Sequence, residues 1–211
     1  MTFFNALAAL WSKSKYIYRA FAWLAIPVIL SSYVFVNSAF AQSRQNGEAG
    51  VKVQQSMGLI IGERVPQDFW TREHLFYNEG DTVRGTLERF KGKLLVLDFW
   101  ATWCGACRKN FSNLESLQKD YPDDLAFVLV NPAKYKDSYA KVNDCYNNML
   151  SQTGGTTLAS IILDEQLVAQ FPHYLIPHYV WISKNGFIKA FTGSGWTLRE
   201  AIEFQISQEG L

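Results

Sequence analysis

The residues with the clearest chemical potential are two cysteines, Cys104 and Cys107, which are separated by about one helical turn. Two thiols at this spacing can close into a disulfide and reopen, passing two electrons to the disulfide of another molecule. The same spacing is also half of a four-ligand zinc site, which requires a second ligand pair. The remaining candidate ligands do not supply a C-x2-C or H-x3-H pair: they are Cys145, His74, His173 and His178. The spacing therefore favours thiol chemistry over zinc binding.

The segments on either side of the cysteine pair predict a strand followed by a helix. The apolar run Leu94 to Phe99 has the length and composition of a central strand that is buried on both faces. After the pair, apolar residues recur at the spacing of one helix face until Pro122 ends the pattern, at Phe111, Leu114, Leu117 and Tyr121. Cys104 is therefore predicted to lie at or near the first turn of a helix.

A helix N-terminus makes the two thiols chemically different. Its first amides have no intrahelical partner, and the helix dipole adds partial positive charge, so a thiolate at Cys104 is stabilised by at most about 2 kcal/mol. Cys107 lies on the apolar face and is expected to be more buried and less acidic. Because exchange requires the thiolate, we expect Cys104 to attack and Cys107 to resolve. A disulfide that only stabilised the fold would not need to lie at a helix N-terminus.

The first 41 residues have the order of a secretory signal peptide. Basic residues come first, at Lys13, Lys15 and Arg19, before an apolar segment over residues 20–36 and the small-x-small site Ala39-Phe40-Ala41. We predict cleavage after Ala41, with an uncleaved membrane anchor as the alternative because the apolar segment approaches spanning length. The chain is thus expected to be periplasmic or otherwise exported, where disulfides persist.

The rest of the chain predicts a flexible tether over residues 42–56, which are polar and contain Gly47 and Gly50, and one domain over residues 57–211. The whole chain has 20 basic and 19 acidic residues, and its first 41 residues include three basic and no acidic ones. The remaining residues therefore have a net charge of about −2. This balance indicates neither a nucleic-acid partner nor an acidic surface as partner.

The mature part alternates strand and helix patterns, which predicts an α/β fold with a mixed sheet covered by helices on both faces. A strand is expected over residues 125–130, and a helix over about 137–150 carries Cys145 on its apolar face, where it packs as a small hydrophobe. A regulatory or intermolecular thiol is the alternative for Cys145. Lys184-Asn185-Gly186 predicts a hairpin turn, and Thr197 with Glu200 predicts a capping box for the last helix.

These residues resemble the thioredoxin fold and, within it, the exported TlpA-like thiol-disulfide oxidoreductases. The segment from Leu97 to Cys107, LDFWATWCGAC, looks like the signature D-F-W-A-x-W-C-x-x-C, and Ile176-Pro177 looks like the cis-proline of the family. The sequence departs from reducing thioredoxins at Ala106, where they carry proline. Ile176, in contrast, matches those reducing thioredoxins.

The resemblance implies roles for particular residues. Asp98 matches a buried carboxylate that accepts a proton from the resolving thiol, and Pro177, if cis, would lie against the disulfide beside an extended substrate. Trp103 and Ile176 are then expected to contact the substrate. No cofactor and no metal are implied. His178 either tunes the site or is an ordinary strand residue, and the latter is favoured.

The leading hypothesis is an exported dithiol-disulfide oxidoreductase that reduces client-protein disulfides and receives electrons from a membrane donor. The alternative is a periplasmic copper or zinc protein that uses Cys104 and Cys107 with His178 or His173, since thiolate and imidazole ligands suit soft metal ions. Peroxide reduction is a third possibility.

Overall fold

The computed structural model describes residues 58–153 and 155–210. The predicted signal peptide (residues 1–41) and tether (residues 42–56) lie outside the described residues. In the part that is described, no helix is both long enough and apolar enough to cross a membrane.

Seven strands form one mixed sheet within the described residues, in the order β2-β1-β5-β4-β3-β6-β7. The three central strands β3, β4 and β5 are parallel, whereas β1 and β2 on one side and β6 and β7 on the other run antiparallel to their neighbours. Their bounds are β1 (His74–Asn78), β2 (Asp81–Gly85), β3 (Leu94–Phe99), β4 (Leu125–Pro132), β5 (Ala159–Asp164), β6 (His178–Ile182) and β7 (Ile188–Thr192). Both β3 and β4 are buried along their whole length, as expected for near-continuous apolar runs.

Helices cover both faces of this sheet, as predicted. On one face, the core includes side chains of α1 (Gly105–Asp120), α2 (Tyr139–Thr153) and α4 (Arg199–Ser207). On the other face, the core contains Leu167 of the short helix α3 (Gln166–Gln170), together with residues of irregular segments such as Phe69 and Leu87. We call these the helical face and the loop face.

The alternation of side chains along β3 decides which residues meet α1. Val96 belongs to the helical face, whereas Leu97 and Phe99 belong to the loop face. Because successive side chains of a strand point to opposite faces, Asp98 faces the helical side, on which α1 lies. The acid and the two cysteines are therefore on the same side of the sheet.

The hairpin between β6 and β7 is confirmed, but the predicted capping box is wrong. Helix α4 begins after Leu198, and no side chain caps it. The side chain of Thr197 is instead buried, and its hydroxyl accepts a hydrogen bond of 3.0 Å from Asn110 of α1. A tertiary contact has therefore replaced the local capping bond.

Candidate active site

Cys104 and Cys107 form a disulfide at the N-terminus of α1. Cys104 is the N-cap residue of α1, with extended backbone angles, and its Sγ atom accepts a hydrogen bond of 3.2 Å from the backbone amide of Cys107. Cys104 is 6% exposed, and Cys107 is fully buried. The predicted asymmetry between an outer and an inner sulfur is therefore present.

The loop before the disulfide is held by one carboxylate, that of Asp137. Its Oδ2 atom accepts hydrogen bonds from the amide of Thr102, at 2.9 Å, and from the side chain of Asn131, at 2.7 Å. Its Oδ1 atom accepts a bond of 2.6 Å from the hydroxyl of Thr102. Since Asn131 is a buried residue of β4, this network ties the loop to the sheet.

Asp98 is fully buried, and neither of its carboxylate oxygens has a hydrogen-bond partner among the described residues. Burial raises the pKa of Asp98 well above its ordinary value of 3.8, because an unpaired carboxylate is poorly solvated in the interior. A carboxyl of this kind can accept and release a proton at pH values at which an exposed aspartate remains ionised.

A cleft of about 320 Å³ opens between α1 and the loops at the ends of β6 and β7. Ala106, in the first turn of α1, and Pro177 line this cleft, and Lys109 supplies its charge. The peptide bond between Ile176 and Pro177 is cis, as expected from the resemblance. The remaining lining residues are Asn110, Asn113, Tyr179, Ser194, Gly195, Thr197 and Leu198.

The two predicted substrate-contacting residues lie at different places around the site. Ile176 is half-buried and packs against both core faces. Trp103 is 62% exposed, does not line the cleft, and contacts Tyr135 edge-on at 5.6 Å between ring centroids. Both are adjacent in sequence to a residue of the site, Cys104 or Pro177.

His173 and His178 lie on the other side of the sheet. Their rings stack at 4.5 Å with an interplanar angle of 10°, and both contact Phe99, whose side chain belongs to the loop face. Burial lowers the pKa of both imidazoles, that of His173 to about 4. Over residues 58–153 and 155–210, no three His, Cys, Asp or Glu side chains form a group that could hold a metal. The alternative copper or zinc site therefore has no assembled ligand set in this part of the chain.

Cys145 is buried on α2 within the core of the helical face and is not bonded to another cysteine. Desolvation raises the pKa of its thiol. This environment agrees with the prediction that Cys145 packs as a small hydrophobic residue.

Sequence reasoning did not identify the polar residues of the loop before the disulfide and of the cleft, namely Asn131 and Asp137, and Asn110 and Tyr179. One signal was available, because Asn131 directly follows the apolar run over residues 125–130, and a buried amide requires hydrogen-bond partners. Asn110 and Tyr179 are 69 positions apart, so no local pattern connects them.

Residues 82–148 match the sequence profile of the Thioredoxin family. Thioredoxin-like protein YneN of Bacillus subtilis is 50% identical over 48 residues, which are 23% of this chain and 28% of that protein. Thiol:disulfide interchange protein DsbE of Vibrio cholerae is 26% identical over 129 residues, which are 60% of this chain and 61% of that protein. The chain thus matches less than two thirds of the length of either relative.

Among solved structures, the thioredoxin domain of a thiol-disulfide oxidoreductase from Bacteroides vulgatus superposes with a TM-score of 0.53 at 19% identity. The superposition covers 71% of this chain and 99% of that one. At this identity the likeness establishes the fold. Together with the match of residues 82–148 to the Thioredoxin family and the cysteine pair at the N-terminus of α1, it shows that this chain has the thioredoxin fold.

Proposed function

We propose that this chain is an exported dithiol-disulfide oxidoreductase that reduces disulfides of client proteins. The observation that carries the proposal is the pair itself: an outer sulfur on the N-cap of α1, within hydrogen-bond distance of an amide, and a fully buried inner sulfur. In the reduced protein this amide and the helix dipole stabilise a thiolate at Cys104.

The first step is attack of the Cys104 thiolate on a client disulfide. A bond forms between Cys104 Sγ and one client sulfur, and the client disulfide breaks, releasing the other client sulfur as a thiolate. Because Cys104 is the more exposed of the two, it is the sulfur that a macromolecular client can reach.

The second step is resolution by Cys107. Its thiol gives its proton to the Asp98 carboxylate, and the resulting thiolate attacks Cys104 Sγ. The Cys104–Cys107 disulfide forms and the second client sulfur leaves as a thiolate, so the client gains two electrons and the protein loses two. The raised pKa of Asp98 supports this role, because it brings the acid closer in strength to the thiol that it deprotonates.

The cleft beside the disulfide is the proposed client site. Pro177 lines it together with Ala106, which directly precedes Cys107 in α1. Ile176 and Trp103 are proposed to contact the client on either side of the pair. The segment just before Ile176 offers further apolar surface, since Tyr174 and Leu175 are 98% and 82% exposed.

Export is proposed from the order of basic, apolar and small residues in the first 41 positions. The similarity to a protein named for thiol:disulfide interchange supports the exchange activity. An exported reductant must be re-reduced, so a membrane electron donor completes the cycle. Cell fractionation, with N-terminal sequencing of the exported protein, tests export and cleavage after Ala41, and recovery in the cytoplasm would contradict this part of the proposal.

The exchange proposal is tested with purified full-length protein in a Cys145→Ala background, reduced and then mixed with insulin as a disulfide-bearing client. We expect Cys107→Ser to accumulate a covalent insulin adduct at Cys104, detected by non-reducing mass spectrometry, and the matched variant Cys104→Ser to form none. Failure of the parent to reduce insulin, together with no adduct in Cys107→Ser, would overturn the proposal. Redox equilibrium with glutathione then determines whether the protein is a reductant or an oxidant.

A further inference from the structure

The cleft between α1 and the loops at the ends of β6 and β7 presents a positive charge and no acidic side chain. Its lining residues include Lys109 and neither an aspartate nor a glutamate. Lys109 is exposed, and within residues 58–153 and 155–210 it forms no ion pair. Its ammonium group is therefore available to a negatively charged group bound in the cleft.

Two asparagine side chains of α1 fix the polar groups that line the same cleft. The side-chain nitrogen of Asn110 donates to the hydroxyl oxygens of Tyr179 and Thr197, each at 3.0 Å. The side-chain nitrogen of Asn113 donates to Oδ1 of Asn110 at 3.1 Å and to the backbone carbonyl of Thr197 at 3.0 Å. Each amide thus uses both of its hydrogens, and both hydroxyls are acceptors in these bonds.

This network leaves one hydroxyl hydrogen without an acceptor. The hydroxyls of Tyr179 and Thr197 are within hydrogen-bond reach of each other, so one of their two hydrogens can join them. In the part of the chain that the structure describes, neither hydroxyl donates to a further acceptor. Both side chains line the cleft and are buried, with 1% and 4% exposed. Because a buried donor without a partner is costly, an acceptor bound in the cleft would be favoured.

We propose that this cleft binds the carboxylate of an aspartate or glutamate that lies close to the reacting cysteine of the client. The inference rests on the proposed exchange reaction and names the class of client. A carboxylate combines a negative charge with two acceptor oxygens, which suits both the ammonium of Lys109 and the remaining hydroxyl hydrogen. The flexible four-carbon stem of Lys109 lets its ammonium reach a group bound at these hydroxyls. An amide has no charge, and an ammonium has no acceptor.

The length of the cleft indicates how far this carboxylate is from the reacting cysteine in the client sequence. The residues of α1 that line the cleft begin at Ala106, which directly precedes Cys107, and end at Asn113. This part of the helix is about 10 Å long, at about 1.5 Å per residue. An extended client segment covers that length with about three residues, at about 3.3 Å each. The acidic residue is therefore expected within about four positions of the client cysteine.

The test uses reduced full-length protein carrying Cys107→Ser and Cys145→Ala, in which Cys104 is the remaining thiol. The clients are Gly/Ser peptides whose single cysteine is a mixed disulfide with 2-thiopyridine, an uncharged leaving group. Each pair of peptides carries Glu or Gln at one position within four residues of the cysteine. When Cys104 attacks, a bond forms between Cys104 Sγ and the peptide sulfur, the original disulfide breaks and 2-thiopyridine leaves, which is followed by absorbance in stopped flow.

We expect the rate constant to be roughly fivefold higher with Glu than with Gln at the favoured position, at pH 7 and 0.15 M salt. The same peptides reacting with free glutathione give the intrinsic effect of the charge on each disulfide, by which the ratio is corrected. In Lys109→Gln the corrected Glu/Gln ratio should fall to about one. In Lys109→Glu the peptide with Gln should react faster than the peptide with Glu, because like charges repel.

Lys91→Gln is the matched control, because it makes the same change of charge at an exposed lysine that does not line the cleft. It should keep the Glu/Gln ratio of the parent. A second readout does not depend on any variant at the cleft. In the ¹⁵N-labelled oxidised parent, the Glu peptide with serine in place of its cysteine should shift the side-chain amide resonances of Asn110 and Asn113 more than the Gln peptide does.

Equal corrected rates with Glu and Gln at every position would overturn the inference and leave the exchange reaction intact. An equal loss of the ratio in Lys109→Gln and Lys91→Gln would also overturn it, because it would indicate attraction by the overall charge of the protein and not binding in the cleft. Amide resonances of Asn110 and Asn113 that respond equally to both peptides would overturn it as well. Absence of 2-thiopyridine release with every peptide would instead contradict the proposed function.

Discussion

The backbone amide of Cys107 donates a hydrogen bond of 3.2 Å to the Sγ atom of Cys104. This single contact links the geometry of the helix N-terminus to the chemistry of the outer sulfur. Cys104 occupies the N-cap position, where a side-chain acceptor normally satisfies one of the free amides of the first turn. Once the disulfide is reduced, a thiolate at Cys104 can fill that acceptor role better than a neutral thiol.

The reduced thiols should therefore differ in reactivity. In the Cys145→Ala background, we expect iodoacetamide to modify Cys104 at least about tenfold faster than Cys107 at pH 7, since the thiolate is the reactive form and Cys107 is the more buried sulfur. The modification rate of Cys104 as a function of pH should give an apparent pKa below that of an ordinary thiol. Peptide mass spectrometry provides the measurement, and equal, slow modification of both thiols would contradict it.

Asp98 should reduce stability increasingly as pH rises. Because burial raises the pKa of Asp98 well above 3.8, the folded state keeps the proton at pH values at which the unfolded chain has lost it. The folded state then binds more protons, so the free energy of unfolding contributed by this group falls from about pH 3.8 upward until the pKa of the folded state is passed. The substitution Asp98→Asn removes this pH-dependent loss of stability, because an amide does not titrate.

Urea unfolding of the oxidised protein at pH 4 and pH 7 measures this effect. We expect the stabilisation by Asp98→Asn to be larger at pH 7 than at pH 4, because burial raises the pKa of the carboxyl in the folded state. Asp123→Asn, at an exposed position, is the control and should show no such difference. A stabilisation that does not depend on pH would show that burial does not raise the pKa of this carboxyl.

Loss of the Asp137 carboxylate should loosen the loop before Cys104. Asp137→Ala removes the acceptor of three hydrogen bonds from Thr102 and Asn131 and leaves the buried Asn131 amide short of a partner. We expect a loss of about 2–3 kcal/mol in the free energy of unfolding and faster hydrogen exchange at the Thr102 amide. Thr102→Val, which removes one of the three bonds, should cost about 1 kcal/mol. Equal costs for the two variants would contradict the central role given to Asp137.

His173 should make the fold sensitive to mild acid. Burial lowers its pKa to about 4 from 6.5, so the folded protein holds it neutral while the unfolded chain takes up a proton. The free energy of unfolding should therefore fall as pH decreases from about 6.5 towards 4. His173→Asn keeps an N–H for the carbonyl of Phe171, which accepts from Nδ1 at 2.8 Å, but cannot titrate.

The difference between urea midpoints at pH 7.5 and pH 5 should accordingly be smaller in His173→Asn than in the parent. The exposed substitution Asp123→Asn again serves as the control. An identical acid response in the parent and in His173→Asn would show that the acid sensitivity arises elsewhere.

The sequence by itself determined the elements that carry the disulfide. The apolar run at residues 94–99 and the helical spacing after Cys107 predicted β3, α1 and the position of Cys104, because these signals are local and lie within single elements. The face of Asp98 also follows from alternation along β3, and the hairpin after β6 from its turn residues. The resemblance of LDFWATWCGAC to a known signature extended the prediction from these single elements to the whole thioredoxin fold.

Only the tertiary structure decided which polar groups surround these elements. Thr197 has the residue type and spacing of a helix N-cap, yet its hydroxyl accepts a hydrogen bond from Asn110 of α1. A tertiary hydrogen bond has competed successfully with the local capping bond. The pairing of Asp98 with Tyr179 depends on strand register, and the bonds of Asp137 depend on the path of the loop after β4. The tertiary structure also placed His178 on the loop face, away from the cysteines. Contacts between distant segments are set by packing and strand register, and neither produces a periodic pattern of residues in a single sequence.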